Sequence, residues 1–289
     1  MRNYLNRFYY FWKDVVVHFI NVDGTTRAAS LAYTTLLSSV PLAVIGIGIL
    51  SAFPVFEEYS GRIQSFLITH FVAASADTIH DYIIAFAAKA TELSASSVFF
   101  VLVAAVMLIF TMESALNTIW RVEARRHGVT AFLIYWAVLT LLPIIAGTAI
   151  ALSVYLFSLP YFKGAAETIG GVIPFLEMLP FFLAWMGFSA LYVTLPNKKV
   201  FFRDAVVGAL AAAILFEVVK RGFGYYIKYY STYEIIYGAL AALPILLVWI
   251  YCSWLIILFG AVVSYIKQTR RELRESQLKM SESTDSATV

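Results

Sequence analysis

Charge is what this chain has least of. Only 13% of its 289 residues are Asp, Glu, Lys or Arg, while 61% are hydrophobic. A soluble domain carries about a quarter charged residues, so the shortage excludes an ordinary water-soluble globule. Cysteine is almost missing as well. The single Cys252 excludes an intrachain disulfide and any cysteine-based metal cluster. The four histidines, His18, His70, His80 and His127, fall at no metal-ligand spacing. There is no phosphate-cradling glycine loop, no nucleophile elbow, and no basic surface with interleaved aromatics. These absences leave no expected catalytic, cofactor-binding or metal site and no nucleic-acid partner, and the chain does not read as an enzyme. Residues 1–27 also lack the apolar core and small-residue cleavage site of a removable signal peptide.

What remains is organised into long uncharged runs. They extend over Ala28–Phe56, Leu93–Met112, Gly128–Phe162, Met178–Asn197 and Ile235–Ile266, which are 29, 20, 35, 20 and 32 residues. A helix needs about 20 apolar residues to cross the hydrocarbon layer, so five spans follow from length. A sixth is weaker: between Asp204 and Glu217 lie 12 uncharged residues, AVVGALAAAILF. Loop charge decides for it, because Lys and Arg stay on the cytoplasmic side. Six spans put 15 Lys and Arg inside and 6 outside; five spans give 13 and 8. The expected fold is therefore all-α, a polytopic membrane bundle of six transmembrane helices with both termini cytoplasmic. The spans lie near 28–53, 95–119, 130–158, 175–195, 204–226 and 238–266.

The expected membrane domain covers 1–268. It includes an interfacial N-terminal helix at 4–22, where Leu5, Phe8, Trp12, Val15 and Phe19 recur at helical spacing. Packing of that helix on the protein's own cytoplasmic face is an equal reading. An outer loop at 54–94 carries two amphipathic stretches, marked by Ile63, Phe66, Leu67 and Phe71 and by Ile79, Ile83, Phe86 and Ala90. Residues 269–289 are charged, then Ser/Thr-rich, and read as a disordered cytoplasmic tail. Gly208 with Ala212, Gly147 with Ala151, and Gly260 with Ser264 place small residues one turn apart, which permits close helix contact.

Polar residues inside spans are costly and mark either function or packing. Ser30, Thr34 and Ser38 form one stripe on the first span, near Pro41, which leaves the carbonyl of Leu37 without its helical donor. The stripe reads as one wall of a pathway or as local backbone bonding. Glu113 and Asn117 share a face of the second span. They read as a functional pair or as a packing device. Glu217 has Lys220 and Arg221 three and four positions on, beside its carboxylate. This group reads as a helix-internal ion pair or as a charged patch able to meet an anionic group.

Five stretches match a known family in order along most of the chain: LAYTTLLSSVPL, SALNTIWR, YWAVLTLLPIIAG, RDAVVGALAAAILFEVVKRGF and IYGALAALPILLVWIYCSWLIILFGA. They resemble the YihY/BrkB family of bacterial multi-pass membrane proteins. The resemblance implies six helices and the inner membrane of a Gram-negative bacterium. Members have carried an old ribonuclease label, which this sequence does not support, having no clustered His and Asp to hold catalytic metals. The kinked spans and buried polar groups point to a transporter or lipid translocator without nucleotide hydrolysis, acting on an amphiphilic, anionic cargo. A non-transporting scaffold for envelope assembly is the alternative. Expected partners are membrane lipids, with a second copy or an envelope protein also compatible.

Overall fold

The computed structural model describes residues 2–51, 95–122, 133, 136, 140, 178–229 and 242–287. Among these the chain forms six α-helices and no strand. They are α1 (Arg2–Asn21), α2 (Gly24–Ser51), α3 (Ala95–Ile119), α4 (Leu179–Thr194), α5 (Phe202–Tyr229) and α6 (Ala242–Ala287). The outer loop at 54–94, most of the expected span at 130–158, Pro143, and the Gly147–Ala151 pair lie outside the described residues.

Helix α6 is the hub, touching all five others. Its 46 residues extend about 69 Å at 1.5 Å per residue, roughly twice a hydrocarbon layer. Within it Pro244–Ser281 is long and apolar enough to cross a membrane. Val103–Ile119 and Pro180–Thr194 are apolar but shorter. Large apolar side chains stay exposed on α3 (Val103, Met107, Phe110) and on α5 (Ile214, Val218, Tyr225). Such contiguous exposure is unusual on a soluble monomer and suits a wall that faces lipid.

Helices α5 and α6 meet through their smallest residues. Ala205, Gly208, Ala209 and Ala212 on α5 and Gly260, Ala261 and Ser264 on α6 are all buried. Between helices in lipid there is little hydrophobic drive, so close van der Waals contact supplies the stability. The expected span on α5 is the weakest because Asp204 and Glu217 bound its uncharged run at 12 residues, and the alanines within that run make the contact with α6. Two polar bonds lock the crossing. The Tyr192 hydroxyl of α4 donates to the Ile257 carbonyl at 2.6 Å, and the Trp185 indole donates to the Val206 carbonyl at 2.9 Å. On the other side of α6, the Trp254 indole donates to Thr35 Oγ1 of α2 at 2.9 Å.

The N-terminal helix packs one face on the rest of the chain. Val15 and His18 are buried, Trp12 stacks on Phe259, and His18 stacks on Tyr265. The opposite side exposes Tyr9, Tyr10, Val16, Val17 and Ile20. His18 Nε2 also donates to the Ile119 carbonyl at the end of α3, 3.0 Å away. That end is a Schellman turn: Val122 N–H bonds the Asn117 carbonyl and Arg121 N–H the Thr118 carbonyl, with Arg121 left-handed at φ 53°. Burial lowers the His18 pKa; the bond to Ile119 opposes this and the nearby Arg121 charge adds to it. The neutral imidazole is therefore the form that docks.

One expectation is corrected. The tail from residue 269 is not irregular in the described residues, since α6 continues to Ala287. Its charges find partners at helical spacing and beyond. Gln268 donates to Glu272, Arg271 approaches Glu275 at 3.8 Å, and Arg270 pairs with Asp14 of α1. Composition suggested disorder because a local count cannot register the Asp14 and Asp204 partners contributed by other helices.

Candidate functional site

The expected polar stripe on α2 does not act as one surface. Thr34 Oγ1 donates to the Ser30 carbonyl at 2.9 Å, which is local backbone bonding. Ser38 is buried, and its hydroxyl crosses to the Ala104 carbonyl of α3 at 3.0 Å rather than serving the Leu37 carbonyl near Pro41. Of the three, Ser30 lines a cleft and Thr34 and Ser38 do not.

The cleft, of about 430 Å³, lies between the N-terminal half of α2 and the C-terminal half of α3. Asp23, Thr26, Arg27 and Ser30 line one wall, and Thr111 and Ser114 the other. Contacts at Ser38–Ala104 and around Ser30–Thr111 show that the two helices run antiparallel. Thr26 and Ser30 stand one turn apart, as do Thr111 and Ser114, so each pair shares a helix face. The one-turn spacing of these hydroxyl residues is the signal that the sequence carries for the cleft. Arg27 Nε donates to the Val22 carbonyl at 2.7 Å, which holds the guanidinium at the cleft end near the α1–α2 turn. The volume is in the range of small-molecule sites, about 300–1,000 Å³.

Glu113 and Asn117 lie off that cleft. Both are buried, and Asn117 Nδ2 donates to Glu113 Oε1 at 3.3 Å. Asn117 Oδ1 accepts the Asn197 backbone N–H at 2.7 Å, tying α3 to the loop between α4 and α5. Through these bonds the pair links α3 to the α4–α5 loop. Glu217 makes a local ion pair, 2.6 Å from Lys220 Nζ and 3.1 Å from Arg221 Nε. Arg221 is 76% exposed while Glu217 and Lys220 are partly buried, and none of the three lines the cleft.

The sequence reading missed a second polar centre, where the chain returns from α4 to α5. Asp204 is 2% exposed and pairs with Arg271 Nη2 of α6 at 2.8 Å. Gln268, also buried, accepts the Phe201 N–H at 3.3 Å and donates to the Lys199 carbonyl at 3.2 Å. The α4–α5 loop is thereby fastened to α6 and, through Asn197, to α3. No short motif announces it, because the partners come together only in the fold. Among the described residues no group of three or more His, Cys, Asp or Glu could hold a metal ion.

The chain has relatives that are named as membrane proteins. A UPF0761 membrane protein of Legionella pneumophila (strain Corby) is 43% identical over 266 residues, covering 91% of this chain and 63% of its own length. One from Vibrio vulnificus (strain YJ016) is 46% identical over 259 residues, covering 89% of this chain and 81% of its own. One from Pseudoalteromonas translucida is 43% identical over 251 residues, covering 86% and 83%. The chain thus spans less than two thirds of the Legionella relative. No solved structure matches it. The profile of the family described as Virulence factor BrkB matches residues 15–285. With that match across nearly the whole chain, and with relatives named as membrane proteins, this chain is a membrane protein belonging to the BrkB family.

Proposed function

We propose that the chain crosses the bacterial inner membrane six times, with both termini cytoplasmic, and translocates an amphiphilic, anionic cargo of lipid type without enzymatic chemistry. The observation that supports this reading is the α2–α3 cleft. It is polar on both walls, carries Arg27 to meet an anionic headgroup, and is flanked by Leu31 and Phe110 to receive apolar parts. Dense packing elsewhere, with Ser38, Tyr192 and Trp254 all spent on interhelical bonds, favours the second reading, a scaffold for envelope assembly.

The two separate in liposomes. Purified protein is reconstituted with fluorescent phosphatidylglycerol, and the exposure of label from the inner leaflet to a membrane-impermeant quencher is followed. Exposure should rise several-fold over protein-free vesicles. Ser30→Leu combined with Ser114→Leu should return it to background, while the variant inserts and melts like the parent. If the parent matches protein-free vesicles across anionic and zwitterionic lipids, yet complements a deletion strain, the translocator reading is wrong and the scaffold stands.

A further inference from the structure

The cationic surface where α6 leaves its apolar stretch has no role in the cleft. The uncharged run of α6 ends at Ile266, so Lys267 marks the edge of the hydrocarbon. Lys267 lies within electrostatic reach of Arg203, Arg271 and Asp204. Two rings stand in the same neighbourhood: Phe201, 40% exposed, and Phe202, 69% exposed. The Arg271 guanidinium carbon is 4.2 Å from the Phe201 ring centroid and Lys199 Nζ is 6.0 Å from it. The cations divide unequally. Arg271 is occupied by Asp204 and approached by Glu275. Lys199, Arg203 and Lys267 have no ion-pair partner among the described residues.

Three cations, with the Asp204 carboxylate within electrostatic reach of Lys267, gathered beside two exposed rings at the end of an apolar helix leave repulsion that a bound anion would relieve. Lys and Arg clustered at the membrane edge attract anionic headgroups, aromatic rings favour headgroup depth, and arginine matches phosphate oxygens in a fork. We infer that Lys199, Arg203 and Lys267 form a binding site for the phosphate of an anionic phospholipid headgroup, with Phe201 and Phe202 resting among its acyl chains. The site is separate from the α2–α3 cleft and does not rest on the translocator reading. It requires only that the chain be embedded in a membrane.

The test is retention of radiolabelled phosphatidylglycerol by the full chain, purified in neutral detergent and held on an affinity resin. The paired substitution Arg203→Gln with Lys267→Gln should weaken retention roughly thirty-fold. The charge-matched control Arg274→Gln with Lys279→Gln, further along α6, should change it less than about three-fold. Arg203→Lys with Lys267→Arg should restore most of it, which separates charge from folding. Phosphatidylcholine should compete poorly. Inorganic phosphate, which has the same group without acyl chains, should not displace the label at the lipid's own concentration. Equal loss in the control pair would reduce the site to diffuse charge and overturn the assignment. Displacement by inorganic phosphate would make it a soluble-anion site and overturn the lipid assignment. Unchanged retention in the Gln pair would also overturn it.

Discussion

Valine at position 260 should abolish the folded membrane domain. A Cβ built on Gly260 would stand 2.5 Å from Tyr192 Oη, 2.6 Å from the Ala212 Cβ and 2.8 Å from the Gly208 carbonyl oxygen. Two of those three neighbours cannot rotate away. One is a backbone carbonyl and the other is the first side-chain carbon of a helical alanine. Gly208 faces the reciprocal problem, since its Cβ would collide with the Gly260 carbonyl and the Ser264 backbone. Any side chain at either position must push α5 away from α6, breaking the bond from Tyr192 to Ile257. Overpacking of a tight core costs about 1–3 kcal/mol, which is the expected loss for Gly208→Ala or Gly260→Ala. Valine, with two more carbons and a stiff χ1, should exceed it. The controls are internal. Gly187, Gly222 and Gly224 would meet nothing within 4 Å, so alanine there should hold stability level or raise it by up to about 1 kcal/mol through helix propensity. Thermal unfolding in one detergent reads all five positions. Equal melting of the two groups would show that the α5–α6 crossing is not close.

Arg271→Ala should cost nearly as much by a different route. Asp204 is almost fully buried, and Arg271 Nη2 lies 2.8 Å from its carboxylate. Removing one partner of a buried pair leaves the other charge uncompensated, a loss of about 3–5 kcal/mol. Asp204→Ala should be milder, because Arg271 is 29% exposed and retains Glu275 nearby. The combination Asp204→Leu with Arg271→Met should recover much of the loss, since it removes both charges and keeps the volume. Additive losses in that double variant would show that the two residues act independently and that the α4–α5 loop is not held through this pair.

Among the described residues, the apolar helices were legible from composition, as was the amphipathic N-terminal helix. Lipid and helical backbone bonding impose those patterns locally. Gly208, Ala212, Gly260 and Ser264 were legible as small residues at one-turn spacing, though not as partners of each other. Ser30, Thr34 and Ser38 share a helix face but not a neighbour. Ser30 and Ser38 are eight positions apart, about 12 Å along the axis, so one reaches the cleft while the other meets α3 at Ala104. Asp204, Gln268 and Arg271 were invisible because none is polar in a way that a run of residues can show. Their pairing requires the return of α5 against α6.

In the proposed topology the α4–α5 loop, with its bonds to α3 and α6, faces the cytoplasm. Single cysteines test it on a Cys252→Ser background in intact spheroplasts. Lys198 is an exposed loop residue, and Ala165 falls in the outer loop expected from the charge pattern. An impermeant maleimide should label Ala165→Cys at once and Lys198→Cys only after the membrane is permeabilised. Labelling of Lys198→Cys in intact spheroplasts, with Ala165→Cys protected, would contradict the account.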